Sequence, residues 1–505
     1  MRIFLVFSFL LACAPKCLTA QLFPKEGGQL CYRLVGFSFP AEAGATQYKI
    51  EIATGAYAAP GDFEKHIVST LLCKKNRSIV ELPSFGTHYT WRTTSIINGK
   101  VKTKGVLRHF DTRMTADVDT NVTRLRVIHK AEKYKDAYVF VDGARALYDM
   151  NGKPVWFLPG TDLKVNERAY PRDLKPTPQG SLTFLTKGDA YEITYGGYVL
   201  WHTNVGNQNV KRFHHEFTRL SNGHYMGMLS ELSDNYFIKL HAFKDSVAHN
   251  FRDSARYYQK AWINSIVEYD QKGNLAWRWD GFGYLKKSDL YAEMNADSLF
   301  DINDLHENAF FFNEKNKTVY LSLRNVSRVI KIRYPQGDVL NTYGTEYRPG
   351  VSDMRNDLFC GQHSCRVSEK GNLYLFNNNP CGQTHIPTVA MFEEPIPGKG
   401  ELKKIWEYSC TVEDKNVLPV DNPNFVSGGN VLELQDGSIF VSMGSPYSKA
   451  FIVDQNKQIL WSAISEKYNR DNEKWEPFKQ LNVYRASIIG RKQLEEMIWK
   501  AEKYE

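Results

Sequence analysis

The sequence predicts an all-β fold, namely a six-bladed β-propeller preceded by a small N-terminal β-sandwich. The first observation is an internal repeat after residue 119, in which a turn is followed by a tryptophan. The second is composition, because aromatic residues make up 13% of the chain and Asn-Gly, Lys-Gly and Asp-Gly turns recur. The third is length, since 505 residues favour a module plus a repeat-built domain over one ordinary core.

The chain divides into four predicted segments. They are a signal peptide over 1–20, a β-sandwich over 21–118, a propeller over 119–490 and a C-terminal amphipathic helix over 491–505. The signal is predicted from Arg2, an apolar run over 3–11 and small residues near Ala20. No later stretch has the roughly 18 uninterrupted apolar residues of a transmembrane helix, so we expect a periplasmic or secreted protein. A lipoprotein acylated at Cys13 is the alternative, because Leu-Leu-Ala precedes that cysteine.

The cysteines indicate disulfides. Loss of the signal removes two of the 8 cysteines and leaves an even number in an oxidising compartment. Those left are Cys31, Cys73, Cys360, Cys365, Cys381 and Cys410. Cys31 with Cys73 is the natural local pair because both lie in the N-terminal segment, and the pairing of the others stays open.

The segment before residue 119 has the pattern of short alternating strands. A hairpin over 88–110 carries an Asn98-Gly99 turn, a strong hairpin signal. The run ELPSFGTHYTWRTTS resembles the part of fibronectin type III domains in which a Tyr and a Trp pack the sandwich core. We predict a structural or dimerising appendage, which leaves a homodimer open.

The outer part of the repeat is a turn followed, usually four residues later, by a tryptophan. These positions are Trp156, Trp201, Trp277, Trp406 and Trp461, with Asn341 replacing the tryptophan in one unit. A blade of four strands needs about 40 to 50 residues, so six units with insertions fill the segment. The largest insertion covers roughly 232–262. We expect each tryptophan to fill the layer between neighbouring blades, and strands over 138–150 to close the ring with late strands.

The inner part of the repeat is a second hairpin, whose turn follows a recurring position at a nearly fixed distance. That position holds Arg172, His215, His306, His363 and Gly429. The innermost strand of each propeller blade lines the central channel, so residues at one repeat position converge on a common axis. We therefore predict a cluster of three histidines, with Arg324 on the strand that adjoins the His306 strand.

Such a cluster either binds a metal or handles an anion. Because Arg172 and Arg324 would repel a cation, anion chemistry is favoured, and neither a metal nor a cofactor is expected. The alternative is that the histidines are ordinary polar residues of a wet channel. The formal charge of +8 is spread along the chain without a dense basic block, which argues against a nucleic-acid partner.

Four segments of the repeat carry a family resemblance. They are FHHEFTRLSNGHYM, NDLHENAFFFNEKNKTVYLSLRNVSRVIKI, GQHSCRVSEKGNLYLFNN and GGNVLELQDGSIFVS. They resemble the bacterial arylsulfate sulfotransferases, periplasmic enzymes that move a sulfuryl group from a phenolic sulfate to another phenol without a nucleotide donor. The similarity covers most of residues 120–490. Its sharpest part is Asp304-x-His306-x-Asn308, combined with a Ser-Leu-Arg-Asn run that contains Arg324.

The resemblance implies a ping-pong transfer between phenols through a sulfurylated histidine. His363 in GQHSCRV matches the histidine that is sulfurylated in that family. His215, His306 and Arg324 match groups that bind the sulfuryl oxygens, and His214 is a less favoured alternative to His215.

Further substrate contacts are predicted at Asn308 and Arg172. Members of the family carry a disulfide near the active site, but Cys360 and Cys365 bracket His363 closely here, which leaves their pairing open.

Three other functions compete with this interpretation. The run Cys360-x-x-His363-x-Cys365 could be a metal or redox site, although it lacks a paired second half. A non-catalytic exported propeller could bind glycan or peptide at the channel mouth. A propeller sulfatase would differ only in using water as the acceptor, so acceleration by added phenol separates it from a transferase.

Overall fold

The computed structural model of the chain forms two compact units, Met1–Thr112 and Arg113–Glu505. The structure describes residues 22–113, 122–159, 171–186, 188–203, 211–233, 261–280, 306–324, 326–344, 358–381, 384–396, 401–413, 427–478 and 483–504. The predicted signal peptide, nearly all of the predicted 232–262 insertion and Asp304 lie outside these described residues. Among the described residues, no helix has the length and apolar character needed to cross a membrane.

The first unit consists of two sheets and one short helix. Its strands are β1 (Gly28–Leu30), β2 (Leu34–Ser38), β3 (Gln47–Thr54), β4 (Ile67–Cys73), β5 (Arg77–Glu81), β6 (Thr87–Ile97), β7 (Lys100–Lys104) and β8 (Arg108–Thr112), and its helix is α1 (Pro60–Lys65). The larger sheet has the order β1-β8-β6-β3-β4 with β7 on β6, and β2 pairs with β5. The two sheets pack through Phe37, whose ring meets the rings of Trp91 and Phe110. The predicted turn is confirmed, because Asn98 and Gly99 both have positive φ between the paired strands β6 and β7.

Among its described residues, the second unit contains six sheets, each built on four antiparallel strands. Sheet 1 is β34 (Ala486–Gly490), β10 (Ala137–Val141), β11 (Ala146–Asp149) and β12 (Pro154–Phe157); sheet 2 is β13 (Arg172–Pro176), β14 (Leu182–Thr186), β15 (Asp189–Ile193) and β16 (Val199–His202); sheet 3 is β17 (Lys211–Arg219), β18 (Tyr225–Ser233), β19 (Ala261–Tyr269) and β20 (Leu275–Asp280). Sheet 4 is β21 (Glu307–Asn313), β22 (Thr318–Leu323), β23 (Arg328–Arg333) and β24 (Val339–Gly344); sheet 5 is β25 (His363–Val367), β26 (Leu373–Asn377), β27 (Thr388–Glu393) and β28 (Lys403–Ser409); sheet 6 is β29 (Asn430–Glu433), β30 (Ile439–Met443), β31 (Lys449–Val453) and β32 (Ile459–Asn469). Both β33 (Lys474–Pro477) and β9 (Thr123–His129) pair with β32.

One edge strand of each sheet contacts the corresponding strand of the next sheet. We call β34, β13, β17, β21, β25 and β29 the leading strands. Each contacts the next in this order, and β34 also contacts β30 of sheet 6. As predicted, a late strand completes the first sheet, because β34 pairs with β10. The leading strands therefore bring distant parts of the sequence side by side.

The predicted tryptophans lie in the fourth strand of each sheet, counted from the leading strand. Their positions are Trp156 in β12, Trp201 in β16, Trp277 in β20, Trp406 in β28 and Trp461 in β32, with Asn341 in β24. Four of the indoles donate to a backbone carbonyl in the last hairpin of the next sheet. These bonds run from Trp156 to Tyr195, from Trp277 to Pro335, from Trp406 to Gln455 and from Trp461 to Met150. Trp201 instead stacks on Tyr225 of sheet 3 at 4.0 Å. The prediction that these tryptophans fill the layers between sheets is confirmed.

Loss of one buried indole is expected to destabilise the second unit. Trp461 is fully buried and donates to the Met150 carbonyl at 3.0 Å, so Trp461→Phe leaves a buried acceptor and a void and costs about 2–4 kcal/mol. The matched variant Trp277→Phe removes the same kind of bond to Pro335, but this bond is exposed to solvent and Trp277 is only half-buried, so the loss costs under about 1 kcal/mol. Urea unfolding of both variants measures the difference, and equal losses would contradict it.

The chain ends in α2 (Arg491–Ala501), which follows β34 directly. Leu494, Met497, Ile498 and Ala501 are its buried residues, at the spacing of one helix face. Lys500 donates to the carbonyl of Gln179, in the turn between β13 and β14. The predicted amphipathic C-terminal helix is therefore present and packs against β34 of sheet 1 and the β13–β14 turn of sheet 2.

Candidate active site

The predicted histidines lie within, directly before or at the first residue of leading strands. His215 is in β17, His306 directly precedes β21, and His363 is the first residue of β25. Each of these strands has a register shift at this point, and left-handed backbone occurs at His215, His306 and Ser364, with φ of 59°, 50° and 54°. Such bulges turn side chains out of the regular alternation of a strand, and a left-handed backbone is costly for residues with a Cβ. The local backbone therefore directs these side chains toward neighbouring leading strands.

Three histidine rings form a hydrogen-bonded chain. The Nδ1 atoms of His214 and His215 lie 2.7 Å apart, and Nε2 of His215 lies 3.2 Å from Nε2 of His306. The ring of His306 is in turn 6.4 Å from the ring of His363. The structure thus brings together all three predicted histidines and adds His214, which neighbours His215 in sequence as well.

His363 is held in one tautomer. Its Nδ1 lies 2.7 Å from Oδ1 of Asn378, whose Nδ2 donates to the Gly428 carbonyl at 3.1 Å. Because that second bond fixes which amide atom faces the ring, Nδ1 of His363 must carry the proton. The backbone N–H of Gly428 donates to Nε2 at 3.3 Å. Nε2 therefore carries the lone pair.

The turn beside His363 requires glycine at two positions. Gly428 and Gly429 have φ of +74° and +99°. A Cβ on Gly428 would lie 2.3 Å from the Tyr484 carbonyl oxygen, and one on Gly429 would lie 2.4 Å from the Phe376 ring. The backbone can approach Nε2 of His363 only because both side chains are absent.

Burial and positive charge keep the imidazoles neutral. Burial, followed by the charges of Arg324 and Arg172, lowers the pKa of His306 to about 3. The pKa of His363 is also far below its ordinary value because of burial, Arg324 and His306, although the hydrogen bond that His363 donates to Asn378 acts in the opposite direction. Arg324 directly follows β22, and only 9% of it is exposed. The predicted guanidinium and histidines thus act electrostatically on one another.

Tyr484 packs its aromatic ring against this cluster. This residue was not among the predicted site residues. Its ring lies 5.8 Å from the ring of His215 and 6.2 Å from that of His363, both edge to face. The guanidinium carbons of Arg172 and Arg485 lie 5.4 and 5.1 Å from its centroid. Its only sequence signal is its place just before the strand that completes sheet 1. Burial raises the pKa of its hydroxyl to about 12, so it stays neutral.

A layer of buried charges supports the cluster. The carboxylates of Asp142, Asp173 and Glu216 accept the backbone N–H of Asp173, Phe217 and Phe310, respectively. Each bond joins a residue of one sheet to the leading strand of the next. Arg485 pairs with Asp173 at 2.8 Å and with Glu216 at 3.2 Å. Asp173 and Glu216 are paired with Arg485, and all three carboxyl groups accept backbone N–H bonds, so the layer fixes the relative position of the leading strands.

Asn308 and Arg172, the two predicted substrate contacts, differ in burial and in hydrogen bonding. Asn308 is fully buried, and its Nδ2 donates to the Gln362 carbonyl at 2.8 Å, while its own carbonyl accepts from Arg485 at 3.1 Å. Its side-chain Oδ1 is buried and has no hydrogen-bond partner among the described residues. Arg172, over the face of Tyr484, is only partly buried. The contacts thus suit Asn308 to holding sheets 4 and 5 together.

The disulfide pattern differs from the predicted one. Cys360 pairs with Cys381, 21 residues away. The predicted Cys31–Cys73 pair is wrong, because Cys73 is a free thiol. Cys31 follows β1 at one edge of the larger sheet and Cys73 ends β4 at the other. Four strand spacings of about 4.8 Å separate them, whereas a disulfide holds the two Cα atoms within about 7 Å.

The same disulfide argues against the Cys-x-x-His-x-Cys metal alternative. Cys360 cannot supply a thiolate while it is bonded to Cys381, and burial raises the pKa of the Cys365 thiol to about 12. Within the described part of the chain, no group of three or more His, Cys, Asp or Glu side chains has an arrangement that could hold a metal ion. The bond instead links the loop before His363 to the loop after Asn378.

We expect the free energy of unfolding to fall as the pH is lowered from about 6.5 to about 3. Burial lowers the pKa of His214 and of His306 to about 3 in the folded chain. In the unfolded chain their pKa returns to about 6.5, so the unfolded state binds more protons in this window and is favoured by acid. Above about pH 6.5, these histidines add no pH dependence to the free energy of unfolding. Urea unfolding near pH 5 and pH 7 should give a smaller pH difference for His306→Asn than for wild type, and an equal difference would contradict the assignment.

The fold and the site define the class of protein. It is an all-β protein in which neutral histidines of β17, of β25 and of the residue before β21 lie close together, within the field of Arg172 and Arg324. The sequence model of the arylsulfotransferase (ASST) family matches residues 123–413, more than half of the chain. The chain belongs to this family. Membership supports aryl sulfotransferase activity in general, with phenolic donors and acceptors as the substrate class of the family.

Comparison with other proteins adds similarities of low identity. No curated protein matches the chain. Similar solved structures include a protein of unknown function from Bacteroides caccae, at 13% identity and a TM-score of 0.41, covering 70% of this chain and 98% of that one. The periplasmic gluconolactonase PpgL of Pseudomonas aeruginosa matches at 10% identity and a TM-score of 0.33, covering 73% and 99%. Apo AztD of Citrobacter koseri matches at 9% and 0.31, covering 88% and 98%.

Proposed function

We propose that the protein moves a sulfuryl group from a phenolic sulfate ester to a phenolic acceptor by a ping-pong mechanism, with N-sulfurylated His363 as the intermediate. One observation carries the proposal. His363 is a neutral imidazole whose Nδ1 proton is held by Asn378, so that Nε2 keeps its lone pair beside His306 and within the field of Arg324. A nucleophile of this kind needs the neutral form and a fixed direction of attack.

In the first half-reaction, Nε2 of His363 attacks sulfur in line with the leaving oxygen. The new N–S bond forms as the S–O bond to the phenol breaks, and the electron pair of that bond leaves on the phenolate. The ring then carries the sulfuryl group on Nε2 and keeps its Nδ1 proton, which Asn378 accepts. In the second half-reaction, another phenol gives up its proton to solvent and its oxygen attacks sulfur. The N–S bond breaks as the new S–O bond forms, and the electron pair of the N–S bond returns to Nε2 of His363.

Positive charge supports the transfer. Sulfuryl transfer resembles phosphoryl transfer, in which charge is spread over three peripheral oxygens and catalysis is mostly positioning and electrostatic stabilisation. Arg324 supplies a permanent, forked cation for these oxygens. The N–H of Gly428, which meets Nε2 at 3.3 Å before reaction, would be released toward the sulfuryl oxygens once Nε2 is substituted. His306 is the imidazole beside His363 and serves as an additional donor.

We infer that the six sheets are the blades of one closed propeller. Support comes from the leading strands, which contact each other in order and return through β30 to β34. The indole of Trp461 in sheet 6 also donates to Met150 of sheet 1. We further propose export to an oxidising compartment, which the Cys360–Cys381 disulfide supports.

Nitrophenyl sulfate with and without added phenol tests the proposal. A transferase should release nitrophenol in a burst equal to the enzyme concentration, then turn over steadily only when phenol is added, with phenyl sulfate as the second product. A sulfatase would give steady release without phenol, and a binding protein would give neither burst nor turnover. Mass spectrometry of the enzyme after the burst should find the sulfuryl mass on the peptide that contains His363.

A further inference from the structure

The chain of His214, His215 and His306 uses both ring nitrogens of its middle member. His215 meets His214 through Nδ1 at 2.7 Å and His306 through Nε2 at 3.2 Å. His215 therefore has no ring nitrogen left for a substrate oxygen while the chain is intact. Its contacts are those of a connector between the other two imidazoles.

The two N···N contacts between the histidine rings restrict which ring nitrogens carry protons. All three imidazoles are neutral, because burial lowers the pKa of each of them far below its ordinary value. Each ring then has one N–H, and each of the two N···N contacts needs one donor and one acceptor. Only two arrangements satisfy both contacts. In one, the N–H groups point toward His306 and the free proton is on its Nδ1; in the other, they point toward His214 and the free proton is on its Nε2.

The two ends of the three-histidine chain have different surroundings. His306 is the end beside the nucleophile, with its ring 6.4 Å from that of His363. At the other end, Nε2 of His214 is buried and has no hydrogen-bond partner among the described residues. A buried ring nitrogen needs a hydrogen-bond partner, and a water molecule at this atom would exchange protons with His214.

We propose that His214 is a positioning residue that works through His215 as the outer end of a three-histidine proton relay for the phenolic oxygen. The proposal rests on the proposed function above. As the S–O bond breaks, Nδ1–H of His306 protonates the leaving phenolate, and His306 takes the proton of His215 on Nε2. His215 takes the proton of His214 on Nδ1, and His214 takes one proton from water on Nε2. One proton enters and one leaves, every ring stays neutral, and the acceptor phenol runs the same steps in reverse.

The relay should accelerate substrates with a poor leaving group more than substrates with a good one. A nitrophenolate is stable near neutral pH and can leave without a proton. Unsubstituted phenolate, like the side chain of tyrosine, has a conjugate acid of pKa about 10 and leaves slowly unless it is protonated. General acid catalysis typically contributes about 10²–10⁴-fold. Loss of the relay should therefore slow phenyl sulfate much more than nitrophenyl sulfate.

The variant His214→Asn tests this directly, because its amide can still hydrogen-bond to Nδ1 of His215 but cannot pass a proton on. We expect the burst with nitrophenyl sulfate to stay within about threefold of wild type, and the burst with phenyl sulfate to fall by about 100-fold. Equal losses on both substrates, or no loss on either, would overturn the relay. His202→Asn, on the outermost strand of sheet 2, is the control and should leave both rates unchanged.

A measurement on wild type keeps the relay testable if His214→Asn does not fold. Bursts with phenyl sulfate in mixtures of light and heavy water should slow along a curve, because several protons move together, and those with nitrophenyl sulfate should show no such curvature. A straight line for phenyl sulfate would reject the relay. The proposed function fails separately, if wild type gives no burst and no sulfuryl mass on the peptide that contains His363.

Discussion

Replacement of His363 by asparagine is expected to lower the transfer rate by at least about 10⁴-fold and to abolish the nitrophenol burst. Asparagine can still bond to Asn378, but it offers no nitrogen lone pair able to attack sulfur. The loss should appear in kcat and in kcat/KM alike, because the nucleophile acts on the transition state and adds little to binding of the ester. Rapid mixing with nitrophenyl sulfate measures the burst, and titration of the variant with the substrate measures binding.

The control for His363→Asn is His202→Asn, the same change at a histidine on an outermost strand. His202 stacks on Tyr191 and contacts none of the imidazoles of the cluster. Its variant should keep the burst and the steady rate. A full burst in the His363 variant would remove the covalent intermediate from the mechanism, and a lost burst in the His202 variant would show that the assay reports on folding.

Substitution of Arg324 is expected to have the second largest effect. Arg324→Met removes the cation that we assign to the sulfuryl oxygens and should lower kcat/KM by about 10³-fold, as loss of a transition-state donor does elsewhere. Arg324→Lys keeps the charge and loses the fork, so we expect a smaller loss of about 10–100-fold. Steady-state kinetics with nitrophenyl sulfate and phenol compare the two, and equal losses would mean that the charge itself is unimportant.

The same pair of variants makes a pH prediction whose sign follows from the electrostatics. Arg324 is one of the causes that lower the pKa of His306 and of His363. Without its charge, both pKa values rise, so a larger fraction of each imidazole is protonated at a given acidic pH. The acid limb of kcat/KM should then move to higher pH in Arg324→Met and stay near its wild-type position in Arg324→Lys. An unmoved limb in the Met variant would place Arg324 too far from the histidines to act on them.

The surroundings of His363 keep its imidazole neutral and fix the direction in which Nε2 points. Two backbone positions without side chains, Gly428 and Gly429, let the chain come close to Nε2, and Asn378 holds the opposite nitrogen. The Cys360–Cys381 bond joins the loops that carry His363 and Asn378. These features define one tautomer before any substrate arrives, which lowers the reorganisation needed during reaction.

Much of the architecture can be predicted from the sequence because it depends on the short spacing between turns and tryptophans in the repeat. The turn that precedes Trp156, Trp277 or Trp461 sets a strand register, and a repeat makes that register recur in every unit. The recurring inner position likewise predicted that His215, His306 and His363 would meet. Periodicity and turn chemistry act over a few residues, so one sequence is enough to read them.

Other features depend on which residues meet across the fold, and the sequence carries no periodic signal for them. Tyr484 and Asn378 contact the histidines although neither occupies a recurring position of the repeat, and Cys31 and Cys73 share the N-terminal unit but lie at opposite edges of a sheet. The register shifts in β17, β21 and β25 lie beside the histidines, and no spacing in the sequence marks them. Local spacing therefore determined the strands and the gathering of histidines, whereas the contacts of individual nitrogen atoms were decided only by the tertiary structure, because hydrogen bonds require atoms to be placed within a few tenths of an ångström.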